Sequence, residues 1–217
     1  ETMKKQGIPK RSAEQFCQQV PTYHGEKAFT SGPVYIGAII CFLFVLGLFI
    51  VTGPYKWALL AATLFSITLA WGRNLMWFTE LFFNYFPMYS KFRAVESILV
   101  VAEITMPLLA ILALQQIINK NIEWKQLQKY LFISGGITAG ICLFFALFGG
   151  IVDITSSYDS QWTSQVPAWL KDAILEQRTA MIKADAWRSF IFIALGFAVV
   201  YWYAWQTQKA EQPKHNY

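Results

Sequence analysis

Two acidic residues stand in a long apolar stretch that predicts a membrane-spanning helix. Glu96 and Glu103 are two helical turns apart, which places both on one face, with Val100 between them and Pro107 one turn further on. A charged carboxylate in the middle of a span costs at least about 2.5 kcal/mol, so Glu103 is expected to face protein or water rather than lipid. Two roles are open for this face: a polar groove used in function, or a structural glutamate that ties helices together.

Three basic residues lie near this acidic face and could bind a phosphate. Arg73 follows one apolar run, whereas Lys91 and Arg93 precede the next. Arginine offers a planar fork for two phosphate oxygens and lysine a compact positive charge, so the three residues predict a lipid-phosphate site at the outer membrane surface. The alternative is that these side chains extend to the membrane surface as ordinary helix-end residues, with Glu80 and Glu96 as partners.

Two other groups of side chains favour structural roles. Arg178, Asp185 and Arg188 are closely spaced on a predicted helix, which favours local ion pairs. The aromatic residues between 77 and 89 favour a belt at the membrane interface, with a cleft for a sugar or a lipid as the alternative.

Known catalytic motifs do not identify a reaction. The sequence contains no nucleotide-binding loop, no His-Glu-x-x-His zinc motif and no Gly-x-Ser-x-Gly nucleophile turn. His24 and His215 are far apart and lack neighbouring ligands, so no metal site is predicted. No catalytic residue and no cofactor can be assigned from the residues alone.

The composition is that of an integral membrane protein. Hydrophobic residues make up 55% of the chain and charged residues only 14%, well below the roughly 25% of soluble domains. The net charge is +5, but the basic residues are spread over short polar stretches rather than gathered in a block that could follow a nucleic-acid backbone. Membrane lipids are therefore the expected partners, and nucleic acid is not.

The apolar runs predict an all-α bundle of about five transmembrane helices with interfacial helices in its outer loops. A polar loop or helix at 1–33 precedes the bundle, which occupies 34–205, and a polar tail at 206–217 follows it. Pro167 is expected to open an interfacial helix before the last span. The predicted spans are 34–52, 57–71, 94–118, 130–152 and 186–205.

Two of the spans have special features. Pro107 predicts a kink in the third span, and the glycines of the fourth span, at four-residue spacing, indicate an interior helix. The density of basic residues in the short connections places the long loops outside. The chain lacks an initiator methionine and a signal peptide, so we interpret both ends as cut points in a longer protein whose other transmembrane helices are partners.

Phrases in three loops carry a resemblance to a known family. They are AFTSGPVYIG at 28–37, LAWGRN at 69–74 and, above all, FPMYSKFR at 86–93. With the spacing of the spans between them, they are similar to the YfhO family of bacterial membrane proteins, in the form found in Bacteroidetes. The resemblance extends over nearly the whole chain and implies a middle-to-late segment of a longer protein.

The resemblance implies a glycosyltransferase of the GT-C type in the bacterial cytoplasmic membrane. Such enzymes move a sugar from a polyprenyl-phosphate carrier to an acceptor in the cell envelope. The catalytic acid expected for the family lies outside this chain, whereas Arg73, Lys91 and Arg93 would bind the carrier phosphate and Glu96 and Glu103 would shape the groove. A transporter or flippase of a lipid-linked or anionic substrate is one alternative, and a non-catalytic packing module is another.

Overall fold

The structure, a computed structural model, describes residues 35–86, 95–151 and 167–209, and all regular structure within these ranges is helical. Short 3-10 helices occupy Gly72–Leu75, Val95–Leu99 and Gly149–Ile151. The prediction of an all-α fold is confirmed for the described residues. The α-helices of the described residues are α1 (Ala38–Ile50), α2 (Tyr55–Ala70), α3 (Met76–Tyr85), α4 (Val100–Ile118), α5 (Trp124–Phe148) and α6 (Ala168–Ala204).

Three of these helical segments are long and apolar enough to cross a membrane. They are Ser97–Ile118, Trp124–Ile151 and Ala168–Thr207, whereas α1 and α2 are shorter apolar helices. A bilayer core of about 30 Å needs roughly 20 helical residues, so the described part of the chain has the helices of a multi-pass membrane protein. The division into five spans stays a prediction, and the polar segment 1–33 lies outside the described residues.

The chain divides into two compact units. Within the described residues, the larger unit comprises 35–141 and 189–209, and the smaller comprises 142–151 and 167–188. Helices α1 to α4 therefore belong entirely to the larger unit, whereas α5 and α6 each contribute to both.

Helix α1 is the central helix of the larger unit. Phe42 and Leu46 are completely buried, and Gly47 lets Leu109 of α4 approach so closely that a Cβ on the glycine would lie 2.9 Å from the leucine Cγ. The glycines of the fourth predicted span, which corresponds to α5, indicated that this helix is the interior one. For the described residues this prediction is wrong. Gly135 of α5 does pack tightly, but Gly136 and Gly140 have open space where a Cβ would be.

A tight turn reverses the chain between α1 and α2. Gly53 takes a φ of 97°, which a residue with a side chain adopts only under strain. Just after the turn, the Nζ of Lys56 donates a hydrogen bond to the carbonyl oxygen of Leu48 at 3.0 Å. A cation at the negative end of the helix dipole stabilises the last turn of α1 and helps to fix the hairpin.

Helices α2 and α4 are antiparallel. Gly47, near the end of α1, lies against Leu109, whereas Thr63, further along the chain in α2, lies against Thr105. Since α1 and α2 are joined by a tight turn, advancing along α2 corresponds to going back along α4. The amino end of α4, and the 3-10 helix Val95–Leu99 before it, therefore lie beside the carboxyl end of α2.

Aromatic rings join α5 to the carboxyl-terminal half of α6 in the larger unit. The ring centroid of Phe197 lies 5.3 Å from that of Phe132 and 5.8 Å from that of Tyr201. The Tyr201 ring also lies 5.4 Å from Trp124, and Gln128 Nε2 donates a hydrogen bond to the tyrosine oxygen at 3.3 Å. Such ring pairs add to the stabilisation that burial provides.

In the smaller unit, the 3-10 helix Gly149–Ile151, which directly follows α5, packs against the amino-terminal half of α6. A Cβ on Gly149 would lie 3.1 Å from the Cγ of Lys183 and 3.4 Å from the Cγ2 of Ile182. The glycine thus leaves room for the hydrocarbon stem of the lysine. As a result, the apolar residues that directly follow α5 lie beside a charged stretch of α6.

Helix α6 is one continuous helix of 37 residues. It begins directly after Pro167, as expected of a residue whose fixed φ suits a helix start. The sequence predicted an interfacial helix here and a separate span from 186, but the helix continues without a break to Ala204. The prediction of two separate helices is therefore wrong. Neither glycine nor proline interrupts residues 168–195, and the alanines around the expected boundary favour a helix.

Helix α3 is amphipathic and has no buried residue. One side carries Phe78 and Phe82, whose rings pack edge-on against Phe65 of α2 at centroid distances of 6.3 and 5.5 Å. The same side carries the exposed Trp77, Leu81 and Tyr85, whereas Thr79, Glu80, Phe83 and Asn84 lie on the other.

Candidate functional site

Most of the predicted phosphate site lies outside the described residues. Lys91 and Arg93 fall in the gap between the first two described ranges. Arg73 lies in the 3-10 helix after α2, and Glu96 lies in the 3-10 helix before α4, but the side chains of both are outside the described part. Phosphate binding by these residues stays a prediction.

The backbone places Arg73 and Glu96 at the same end of the α2–α4 pair. Thr63 and Thr105 mark one level of this antiparallel pair, because their hydroxyl oxygens are 2.7 Å apart. Going forward from Thr63 along α2 and back from Thr105 along α4 by equal steps leads to residues 72 and 96. A basic and an acidic position of the predicted site therefore lie at one level along the helices.

Glu103 lies in the first turn of α4, on an exposed face. The sequence placed it in the middle of a span, but the α-helix begins only at Val100, so Glu103 lies about 9 Å along the axis from Ser97, where the candidate span begins. Val100 and Ile104 beside it are also exposed. Within the described residues, no hydrogen bond or ion pair involves the Glu103 side chain.

Pro107 gives Glu103 a second polar feature. Pro107 lies inside α4, which continues through it. In an α-helix the N–H of residue 107 would donate to the carbonyl of residue 103, and proline has no N–H. The carboxylate and the backbone carbonyl of Glu103 are therefore two acceptors at one place on the helix.

The opposite face of α4 carries a buried hydroxyl cluster that the sequence did not predict. Thr63, Ser66 and Thr105 are all buried between α2 and α4. The Ser66 hydroxyl donates to the carbonyl of Thr63 at 3.0 Å, and the two threonine hydroxyls are hydrogen-bonded to each other. Because single hydroxyls in apolar runs usually bond to their own helix, no local pattern indicates this contact between helices.

The three charged residues on α6 do not form one group. Asp185 and Arg188 form an exposed ion pair at 3.1 Å, which confirms the predicted local pairing for these two residues. Arg178 is instead 1% exposed, on the same face as the buried Leu170 and Ile174. Arg178 is therefore not a surface charge, and polar contacts are needed to offset the cost of burying it.

Comparison with family models, curated proteins and solved structures finds no match to this chain.

Proposed function

We propose that the chain is a membrane-embedded segment of an enzyme that transfers a sugar from a polyprenyl-phosphate carrier to a cell-envelope acceptor. The reaction is taken from the resemblance of the three loop phrases to the YfhO family, and the bacterial cytoplasmic membrane is proposed on the same ground. One structural observation supports a site in this region: the antiparallel pairing of α2 and α4 brings residues 73 and 96 to the same end of the two helices.

The proposed topology has five crossings, by α1, α2, α4, α5 and the apolar half of α6. Helix α1 has 13 residues and is only about 20 Å long, but it is surrounded by other helices and is flanked by further apolar residues. Helix α2 packs along α4, which is long enough to cross by itself.

In the proposed mechanism, the residues of this chain bind the carrier and do not attack it. A carboxylate outside this chain takes the proton of the acceptor hydroxyl, whose oxygen bonds to the anomeric carbon with inversion. The carrier phosphate leaves with the electron pair of the broken bond. Arg73, Lys91 and Arg93 stabilise its negative charge, while Glu96 and Glu103 shape the groove.

The proposal is tested by transfer of labelled sugar in membranes that contain the complete polypeptide. Arg93→Ala is expected to lower the transfer rate at least about 100-fold, the range seen when one charge-stabilising donor is removed from an active site. Arg188→Ala is the matched control, since this arginine is exposed and, within the described residues, pairs only with Asp185 in its own helix. Equal loss in both variants, or no loss in Arg93→Ala, would contradict a phosphate site at this position.

A transporter of a lipid-linked or anionic substrate is the second candidate, favoured by the exposed carboxylate of Glu103 one turn before Pro107. The same membranes distinguish the two functions. An enzyme forms a labelled product that is no longer attached to the carrier. A transporter moves the intact labelled carrier across the bilayer and forms no covalent product.

A further inference from the structure

The exposed face of α4 carries one charged residue, Glu103, and a second polar residue, Gln115, near the carboxyl end of the helix. The side chains around Glu103 on this face are exposed and aliphatic, with Ile104 62% and Ile111 61% accessible, and the opposite face is buried against α1 and α2. We infer that this face binds a transmembrane helix that brings a lysine or arginine side chain to Glu103.

The chemistry of the position requires a partner with several hydrogen-bond donors. The Glu103 carboxylate accepts from more than one donor, and its backbone carbonyl lacks the N–H that Pro107 would otherwise supply. A lysine ammonium has three donors and an arginine guanidinium five, so either has enough donors for both acceptors. The positive charge also offsets the cost of a carboxylate on an apolar face.

Two other occupants fit less well. Acyl chains of lipids would cover Val100, Ile104 and Ile111, but they provide neither a donor nor a positive charge for Glu103. A second copy related by a two-fold axis along the membrane normal would place one Glu103 opposite the other, and two like charges disfavour each other. Charge complementarity therefore selects a helix with a basic residue at this depth.

The inference rests on the proposed insertion of α4 into the bilayer and not on sugar transfer. Its test therefore uses contacts and requires no activity. A diazirine amino acid replaces Ile104 in the complete polypeptide in native membranes, and Leu195, an exposed position on α6, carries the same probe as a control. After irradiation, mass spectrometry identifies what each probe has captured.

The expected product at position 104 is an apolar peptide that contains a lysine or arginine, whereas position 195 captures mainly phospholipid. Glu103→Leu should reduce the peptide product at least about tenfold, because it leaves the basic partner without its counter-charge. Pro107→Ala restores the N–H for the Glu103 carbonyl and should reduce the product only about threefold, as loss of one hydrogen bond would.

Exchange of the two charges distinguishes loss of the contact from misfolding of the variant. Glu103→Lys should abolish the peptide product, and exchange of the captured basic residue for glutamate should restore it. Phospholipid alone at position 104, or a peptide without a basic residue, would overturn the inference. Capture of water by both probes would instead contradict membrane insertion, and loss of sugar transfer with intact cross-linking would leave the inference standing while the proposed enzyme failed.

Discussion

At the scale of single residues, the contact between Thr63 and Thr105 shows how a polar group is accommodated between apolar helices. The Thr63 hydroxyl lies 2.8 Å from the carbonyl of Leu59, and the Thr105 hydroxyl lies 2.9 Å from the carbonyl of Val101. Each hydroxyl has a single proton, and the two oxygens are 2.7 Å apart. One threonine therefore donates to its own helix while the other donates across, which links α2 to α4 at a fixed level.

A double-mutant cycle measures this link. Thr63→Val and Thr105→Val keep the shape of each side chain, and we expect a coupling free energy of about 0.6 kcal/mol between them, the mean for hydrogen bonds between membrane helices. Reversible unfolding of the chain in mixed micelles supplies the four free energies of unfolding. Additive effects of the two substitutions would mean that the hydroxyls do not interact.

Thr68→Val is the matched control for this cycle. Its hydroxyl is exposed and, within the described part of the chain, donates only within α2, to the carbonyls of Leu64 and Phe65. Its replacement should change the free energy of unfolding by less than about 0.5 kcal/mol and should not couple to Thr105→Val.

The sequence identified some of the chemically important residues but not their surroundings. Glu103 is conspicuous because a carboxylate in an apolar run is rare, and its spacing to Pro107 is visible without a structure. The burial of Arg178 could not be predicted, because its neighbours in the chain resemble those of any surface helix. Contacts between distant helices, such as Thr63 with Thr105, depend on how the helices pack, and no local pattern encodes that.

At the scale of elements, α6 shows the difference between composition and backbone structure. Its first half is charged and its second half apolar, so hydropathy divides it near residue 186. Backbone hydrogen bonding does not follow hydropathy, however, and a helix ends only where its residues or contacts stop it. Hydropathy therefore located the apolar half of α6 but not the true start of the helix.

Proline substitution distinguishes a continuous α6 from two separate helices. Ala186→Pro should lower the free energy of unfolding by about 3 kcal/mol or more, because proline removes a hydrogen bond inside the helix and clashes with the preceding turn. Ala168→Pro is the control, since Ala168 is the first residue of α6, and its effect should be within about 0.5 kcal/mol. If residue 186 began a separate helix, proline would be tolerated there as well.

At the scale of the whole molecule, the surface of the described helices is suited to lipid. Large apolar side chains are exposed on every helix, among them Leu64 of α2, Ile137 of α5 and Leu195 of α6. In water such a surface would be an aggregation hazard, whereas in a bilayer acyl chains cover it at no hydrophobic cost. Helix α3 differs from the others, because it is amphipathic and too short to cross.

Depth measurements test whether α3 lies in the membrane interface. A fluorophore at Ile111, near the middle of the candidate span, should lie within about 5 Å of the bilayer centre, and one at Leu81 on the apolar side of α3 about 15 Å from it. A fluorophore at Glu80, on the polar side, should lie further out still. Quenching by lipids that carry nitroxides at known depths gives all three distances in reconstituted vesicles.

Equal depths for residues 81 and 111 would make α3 part of a crossing, and exposure of both α3 positions to bulk water would show that α3 lies outside the membrane. An interfacial depth with residue 81 below residue 80 would establish that α3 lies along the surface at the end of α2, beside the level that positions 73 and 96 share.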